Sequence, residues 1–183
     1  MDIEAITWRI IEKYCELSVP VNVYEISRKM GVELVSDPSL PVSGEFSLEE
    51  KNKPLIKVNT SKSHLCQRFT LAHELGHFAL NHGPAFRDPA SNFSGNIWDK
   101  KEVEANKFAA ALLMPEPAVR FFVDKEKITS IEKLAKYFDV STSGMIYRLK
   151  DLKIFLRIIK RQNNYYIVCF LTKMLLLYSP PTI

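Results

Sequence analysis

Apolar residues recur at helical spacing over residues 4 to 17, where Ile6, Ile10, Ile11 and Tyr14 share a face, and Pro20 stops the run. A second helical pattern runs from Val21 to Met30 and is closed by Gly31. The period then shortens. Val32 to Val35, Val42 to Ser47 and Leu55 to Asn59 read as short strands, the last two separated by the charged, turn-like stretch Leu48 to Pro54. These predict a small sheet, antiparallel in part. Helical spacing returns from Ser63 to Asn81, ahead of Gly83-Pro84, and again from Lys100 to Met114, which Pro115 and Pro117 terminate. A polar loop rich in Gly, Pro and Asn joins those two helices. Ser130 to Phe138 and Ser143 to Leu152 are further helical patterns. Ile154 to Lys160 and Tyr165 to Leu171, flanking the polar Arg161 to Asn164, predict a hairpin. The expected fold class is α+β. A mainly helical domain with a small sheet would occupy residues 1–124, and helix-turn-helix-like helices plus an apolar hairpin and tail would occupy residues 125–183.

Composition narrows the class without choosing a function. Hydrophobic residues make up 46% and charged residues 25%, the usage of an ordinary globular chain rather than a disordered or fibrous one. The start, MDIEAITWRIIEKY, mixes charges into its apolar residues, and the most apolar stretch, Tyr165 to Tyr178, is too short for a bilayer and contains Lys173. A cytoplasmic protein with no membrane span is expected. Cys15, Cys66 and Cys169 are odd in number and form no CxxC pair, which suits reduced, structural thiols. Residues 126 to 183 carry ten Lys/Arg against four Asp/Glu, so the C-terminal part is basic while the rest is slightly acidic. Such asymmetry admits an acidic partner, nucleic acid included, although a solvated basic face is the commoner cause.

The candidate chemistry lies at His73-Glu-Leu-Gly-His77. Histidines four apart on a helix leave the same face one turn apart and can grip one ion. Zinc favours neutral imidazole nitrogens plus a carboxylate and leaves a catalytic position for water, from which Glu74 could take a proton. Phe69, Leu71, Ala72, Leu75, Phe78 and Ala79 make this helix apolar around most of its girth. A helix so buried would not carry two histidines and a glutamate unless something satisfied them. A third ligand must come from elsewhere, and the next helix offers Glu102 and Glu104. A metzincin would need glycine and histidine at positions held by Leu80 and Gly83, so that class is excluded. His82 points off the ligand face of a continuous helix, which suits a role at the helix end or behind the ligands. Cys66 is on the right face but about 10 Å up the axis, and core packing suits it better.

Arg68-Phe-Thr-Leu-Ala-His-Glu-Leu-Gly-His77, followed by Glu-x-x-Ala-Asn-x-Phe-Ala-Ala-x-Leu-Leu-Met-Pro from Glu102 to Pro115, resembles the ImmA/IrrE family of metallopeptidases. With Ile56-Lys-Val-Asn59 before it and Leu134, Ala135, Phe138, Val140, Ser141, Arg148 and Leu149 after it, the resemblance covers roughly residues 20 to 152. It implies a gluzincin-like Zn²⁺ site with His73, His77 and Glu102 as ligands, Glu104 as the alternative, and Glu74 as the base. Asn106 stands where related peptidases often have Asp, and could accept from a ligating histidine's second nitrogen. The resemblance also implies the role: an endopeptidase that relieves repression by cutting a helix-turn-helix repressor of a mobile element, prophage or stress response. A metal-bound sensor or DNA-binding regulator with little turnover, and the protease-like component of a toxin–antitoxin pair, are the alternatives.

Three expectations concern the surroundings. The strand Leu55 to Asn59 is expected to offer an exposed edge to an extended substrate. Tyr147, Arg148 and His82 are the guesses for an oxyanion donor. The Ile131 to Lys150 segment has the rhythm of a helix-turn-helix, so Arg148, Lys150 and Lys153 could touch DNA, although a helical unit packed on the catalytic domain is the preferred reading. The apolar tail predicts self-association or a partner.

Overall fold

The computed structural model describes residues 2–16, 18–83 and 100–161. Helix α1 (Ile3–Tyr14) starts at Asp2, whose carboxylate accepts from the Ala5 N–H at 3.1 Å. Helix α2 (Val23–Lys29) is capped in the same way by Asn22. Strands β1 (Glu33–Ser36), β2 (Gly44–Glu49) and β3 (Lys53–Val58) follow. Ser63 then opens the long helix α3 (His64–Ala79) by accepting from the Cys66 N–H. After it come α4 (Lys100–Leu113), α5 (Glu116–Arg120) running into a wider turn over Phe121–Lys125, α6 (Ile131–Phe138), α7 (Thr142–Asp151) and α8 (Phe155–Arg161).

The α+β class and a small sheet antiparallel in part are as expected, but one of its two pairings is parallel and the strand expected to offer an exposed edge is central. The order is β1-β3-β2, with β1 parallel and β2 antiparallel to β3. The short turn Glu50–Asn52 folds β2 directly onto β3, so β3 has partners on both sides and offers no edge. The edge beside α3 is instead β2. Gly44 opens that strand, and a Cβ placed there would collide with Thr70 Cγ2 and stand 3.2 Å from Glu74 Cγ. Only glycine lets the strand press this closely on the motif helix.

Helix α3 is buried because it lies between the sheet and α4. Gly76 makes the second contact close: a Cβ there would stand 3.1–3.2 Å from Phe108 of α4. One buried apolar cluster runs through Ile11, Phe46, Leu75, Phe108, Leu149 and Ile158, from the first helix to the last. Two buried arginines tie the layers together. Arg68 of α3 donates to the carbonyls of Val21 and Asp139 and pairs with the Asp139 carboxylate at 3.0 Å. Arg148 of α7 reaches α1 and the end of α4, as described below.

Two further differences have physical causes. Ile154 to Lys160 is not a strand but, from Phe155, helix α8. Ile154, Phe155, Ile158 and Ile159 are its buried residues, a spacing of 3.6 rather than 2. The expected partner strand Tyr165 to Leu171, and the apolar tail to Tyr178, lie outside the described residues. The helical stretch at 116–125 is the second difference. Pro115 serves as its N-cap with Pro117 in its first turn, so the prolines that end α4 also open α5. Among the described residues no helix is long and apolar enough to cross a membrane.

Candidate metal centre

Helix α3 holds His73 and His77 on one buried face, their side chains 3% and 2% exposed. Their Nε2 atoms lie 3.1 Å apart. Helix α4, held close by the Gly76–Phe108 contact, brings Glu102 from its first turn across this pair. Glu102 Oε1 is 3.1 Å from His77 Nε2, and Oε2 is 3.4 Å from His73 Nε2. Among the described residues these three form the one His/Cys/Asp/Glu group arranged to hold a metal ion.

The spacing fits an ion. A tetrahedral shell with bonds of about 2.0–2.1 Å, the length zinc takes with imidazole, separates its ligand atoms by about 3.3 Å. The hydrogen-bonding pattern fits as well. Asn106 Oδ1 lies 2.9 Å from His73 Nδ1 and, as an acceptor, holds the ring proton on that nitrogen. Nε2 of His73 is thereby left as a lone pair facing His77 Nε2 and the Glu102 carboxylate, the disposition a metal ligand needs. Glu104, the alternative third ligand, points elsewhere: its Oε2 is 3.2 Å from His82 Nε2.

His82 sits behind His77, with the two Nδ1 atoms 3.3 Å apart. A continuous helix would not bring it there; the helix end does. Asn81 adopts φ +54°, the Asn81 N–H donates to the Phe78 carbonyl at 3.1 Å, and the His82 N–H donates to the His77 carbonyl at 2.9 Å. This is a Schellman cap, and the left-handed residue turns the chain back over the last turn. Asn is one of the few residues that takes this conformation readily, which is the signal a sequence offers for it. Lys101 of α4 clamps the same point, its Nζ donating to the His82 carbonyl at 2.7 Å. Burial lowers the basicity of the His82 imidazole, and neighbouring His77 lowers it further, against the opposing pull of Glu104.

Glu74, next to His73 on α3, is buried at 5% exposure, and its stem packs under Gly44 of the β2 edge. Beside this region is a mainly apolar cleft of about 430 Å³, lined by Phe69, Val103, Asn106, Ala110, Met114 and Tyr147 among others. Asn106 belongs to both the cleft and the His73 contact. Tyr147 is thus the one oxyanion guess that faces this cleft. Cys66 stays beside Thr70 on its own helix, 4.0 Å from Thr70 Oγ1, and is not in the metal-binding group.

Arg148 is not at the surface where DNA contact would need it. It is fully buried, and its donors are taken: Nε bonds the Met114 carbonyl, Nη1 and Nη2 bond Glu4, and Nη1 also reaches Asp151. Four of its five N–H donors are thus engaged, and at 0% exposure the side chain is out of reach of DNA and of a substrate oxyanion. Lys150 and Lys153 are exposed, with the Lys150 ammonium 5.4 Å from the centre of the Phe155 ring.

Comparison with known proteins supports the same region. Residues 27–150 match the family described as IrrE N-terminal-like domain, Peptidase_M78. Radiation response metalloprotease IrrE of Deinococcus radiodurans is 33% identical over 125 residues, 66% of this chain and 37% of that protein. Metallopeptidase ImmA of Bacillus subtilis is 28% identical over 135 residues, 73% of this chain and 78% of that protein. Uncharacterized immunity region protein 2 of Bacillus phage phi105 is 29% identical over 127 residues, 68% of this chain and 75% of that protein. A Mycobacterium tuberculosis transcriptional regulator shares the fold at TM-score 0.59 and 18% identity, over 81% of this chain and 46% of that one. The chain therefore spans well under two thirds of IrrE and of the mycobacterial regulator. The family match covers both motif helices and the α6–α7 pair, so the chain belongs to the ImmA/IrrE family of metallopeptidases, Peptidase_M78.

Proposed function

We propose that the protein is a cytoplasmic zinc-dependent endopeptidase that cuts a partner protein, with a helix-turn-helix repressor as the substrate class. The observation that carries this is the convergence of His73, His77 and Glu102 at tetrahedral spacing on the helix that also holds Glu74. In this reading His73, His77 and Glu102 hold the ion, and Asn106 orients His73. Zinc, when bound, supplies a Lewis acid that polarises the scissile carbonyl and acidifies water. Glu74 takes the proton of the attacking water and delivers it to the leaving amine nitrogen. The outer edge of β2, which pairs with no strand among the described residues and is pressed against Glu74 through Gly44, suits an extended substrate backbone, and the apolar cleft beside Asn106 suits its side chains. A phage or stress setting is supported by the names of two relatives, a radiation response metalloprotease and an immunity region protein of a phage, and a repressor is the substrate class that the family resemblance implies.

The test is to incubate the zinc-loaded protein with the helix-turn-helix repressor encoded beside it and look for a discrete cut. Glu74→Gln should keep fold and metal and lower cleavage by about 100- to 10,000-fold, since an amide cannot accept the proton. Cleavage by Glu74→Gln near the wild-type rate would reject the mechanism and favour a metal-bound sensor.

A further inference from the structure

We propose that His82 and Glu104 act as positioning residues for the metal centre, forming a chain from Glu104 through His82 to His77 that fixes which nitrogen of His77 faces the ion. This rests on the zinc reading above. The ion-facing nitrogen of His77 is Nε2, since that atom meets His73 and Glu102. Its proton must then sit on Nδ1, and the atom opposite is His82 Nδ1 at 3.3 Å. For His82 Nδ1 to accept, His82 must carry its own proton on Nε2, where Glu104 Oε2 accepts it at 3.2 Å. One arrangement of protons satisfies every contact: His77 Nδ1–H donates to His82, and His82 Nε2–H donates to Glu104.

The geometry around the chain is built rather than incidental. The His82 side chain is 6% exposed and that of Glu104 18%. The Schellman cap at Asn81 delivers His82, and the Lys101 ammonium holds its carbonyl. Glu102 and Glu104, two apart on α4, thus divide the work, one meeting the ion-facing side of His77 and the other serving its far side through His82. The two ligating histidines also differ. His73 is oriented by the neutral amide of Asn106, and His77 by a chain ending in a carboxylate. A carboxylate behind a ligating imidazole raises its basicity and so its grip on a cation.

Zinc affinity, measured by competition with a chromophoric chelator, tests this without reference to turnover. His82→Ala should weaken zinc binding by about 10- to 100-fold, the usual cost of losing a partner behind a ligating histidine. His82→Asn places an amide oxygen near the former Nδ1 and should recover most of the loss, which a merely space-filling role would not. Glu104→Gln keeps an acceptor without the charge and should lose less than His82→Ala. Nitrogen-15 spectra of the zinc-loaded wild type should show His77 protonated at Nδ1, with that proton lost to fast solvent exchange in His82→Ala. Wild-type affinity in His82→Ala, or His77 protonated at Nε2 in the loaded protein, would overturn the inference and leave the zinc reading standing. A wild-type protein that binds no zinc would overturn both.

Discussion

Two regions of this protein bury polar side chains of the kind that suggest function, and they use them in opposite ways. On α3, the Nε2 atoms of His73 and His77 face each other and the Glu102 carboxylate, an arrangement that a shared cation would satisfy. On α7, Arg148 is more deeply buried still, yet its donors end on the Met114 carbonyl and the carboxylates of Glu4 and Asp151. Burial alone does not distinguish a site from a brace. What distinguishes them is whether the partners complete each other: acceptors facing acceptors leave a demand for a cation, whereas donors facing acceptors leave none.

The sharpest way to break this comparison is to remove the brace. Arg148→Ala should destabilise the fold by about 3 kcal/mol, the low end for breaking a buried pair, because the Glu4 and Asp151 side chains are 44% and 39% exposed and can rehydrate. Zinc stoichiometry should be unchanged. Urea denaturation measures the first and metal analysis the second; a loss under about 1 kcal/mol would mean that Arg148 is not a brace.

A smaller effect sharpens the comparison at the site itself. Gly76→Ala forces a Cβ against Phe108 at 3.1–3.2 Å, so α4 must give way or Phe108 must move. An overpacking cost of about 1–3 kcal/mol is expected, together with weaker zinc binding, because Glu102 rides on α4. Normal zinc affinity in a destabilised Gly76→Ala protein would separate helix spacing from ligand geometry. Smallest of all, the double substitution Lys150→Ala with Lys153→Ala should change stability by less than about 0.5 kcal/mol, as for exposed residues generally. Fluorescence anisotropy with duplex DNA should show no change in affinity; a clear loss would restore a nucleic-acid role for this face.

The sequence was most legible where a side chain's role depends on helical period. His73, Glu74 and His77 follow from a spacing of four, and α1 to α4, α6 and α7 from their apolar stripes and caps. It was less legible where the chain reverses. A helix continued through Asn81 would carry His82 off the ligand face, whereas the left-handed residue there folds His82 back onto His77. The run Ile154 to Lys160 is apolar at both helical and strand spacing, and only packing against the core chose the helix. Arg148 sits on a helix whose rhythm admits DNA contact as well as packing, and its partners, Glu4 and Met114, are too distant in sequence for local pattern to show. Gly44 and Gly76 are informative for the same reason in reverse, since what matters is the side chain each would collide with.

The central claim, that lone pairs on α3 and α4 converge to hold one ion, is tested most directly by zinc content under modest zinc excess in the wild type, Glu102→Ala and Glu104→Ala. One zinc per wild-type chain, its loss in Glu102→Ala and a full complement in Glu104→Ala are the results expected from Glu102 lying 3.1 Å from His77 Nε2 while Glu104 lies against His82. Full occupancy in Glu102→Ala with loss in Glu104→Ala would contradict it.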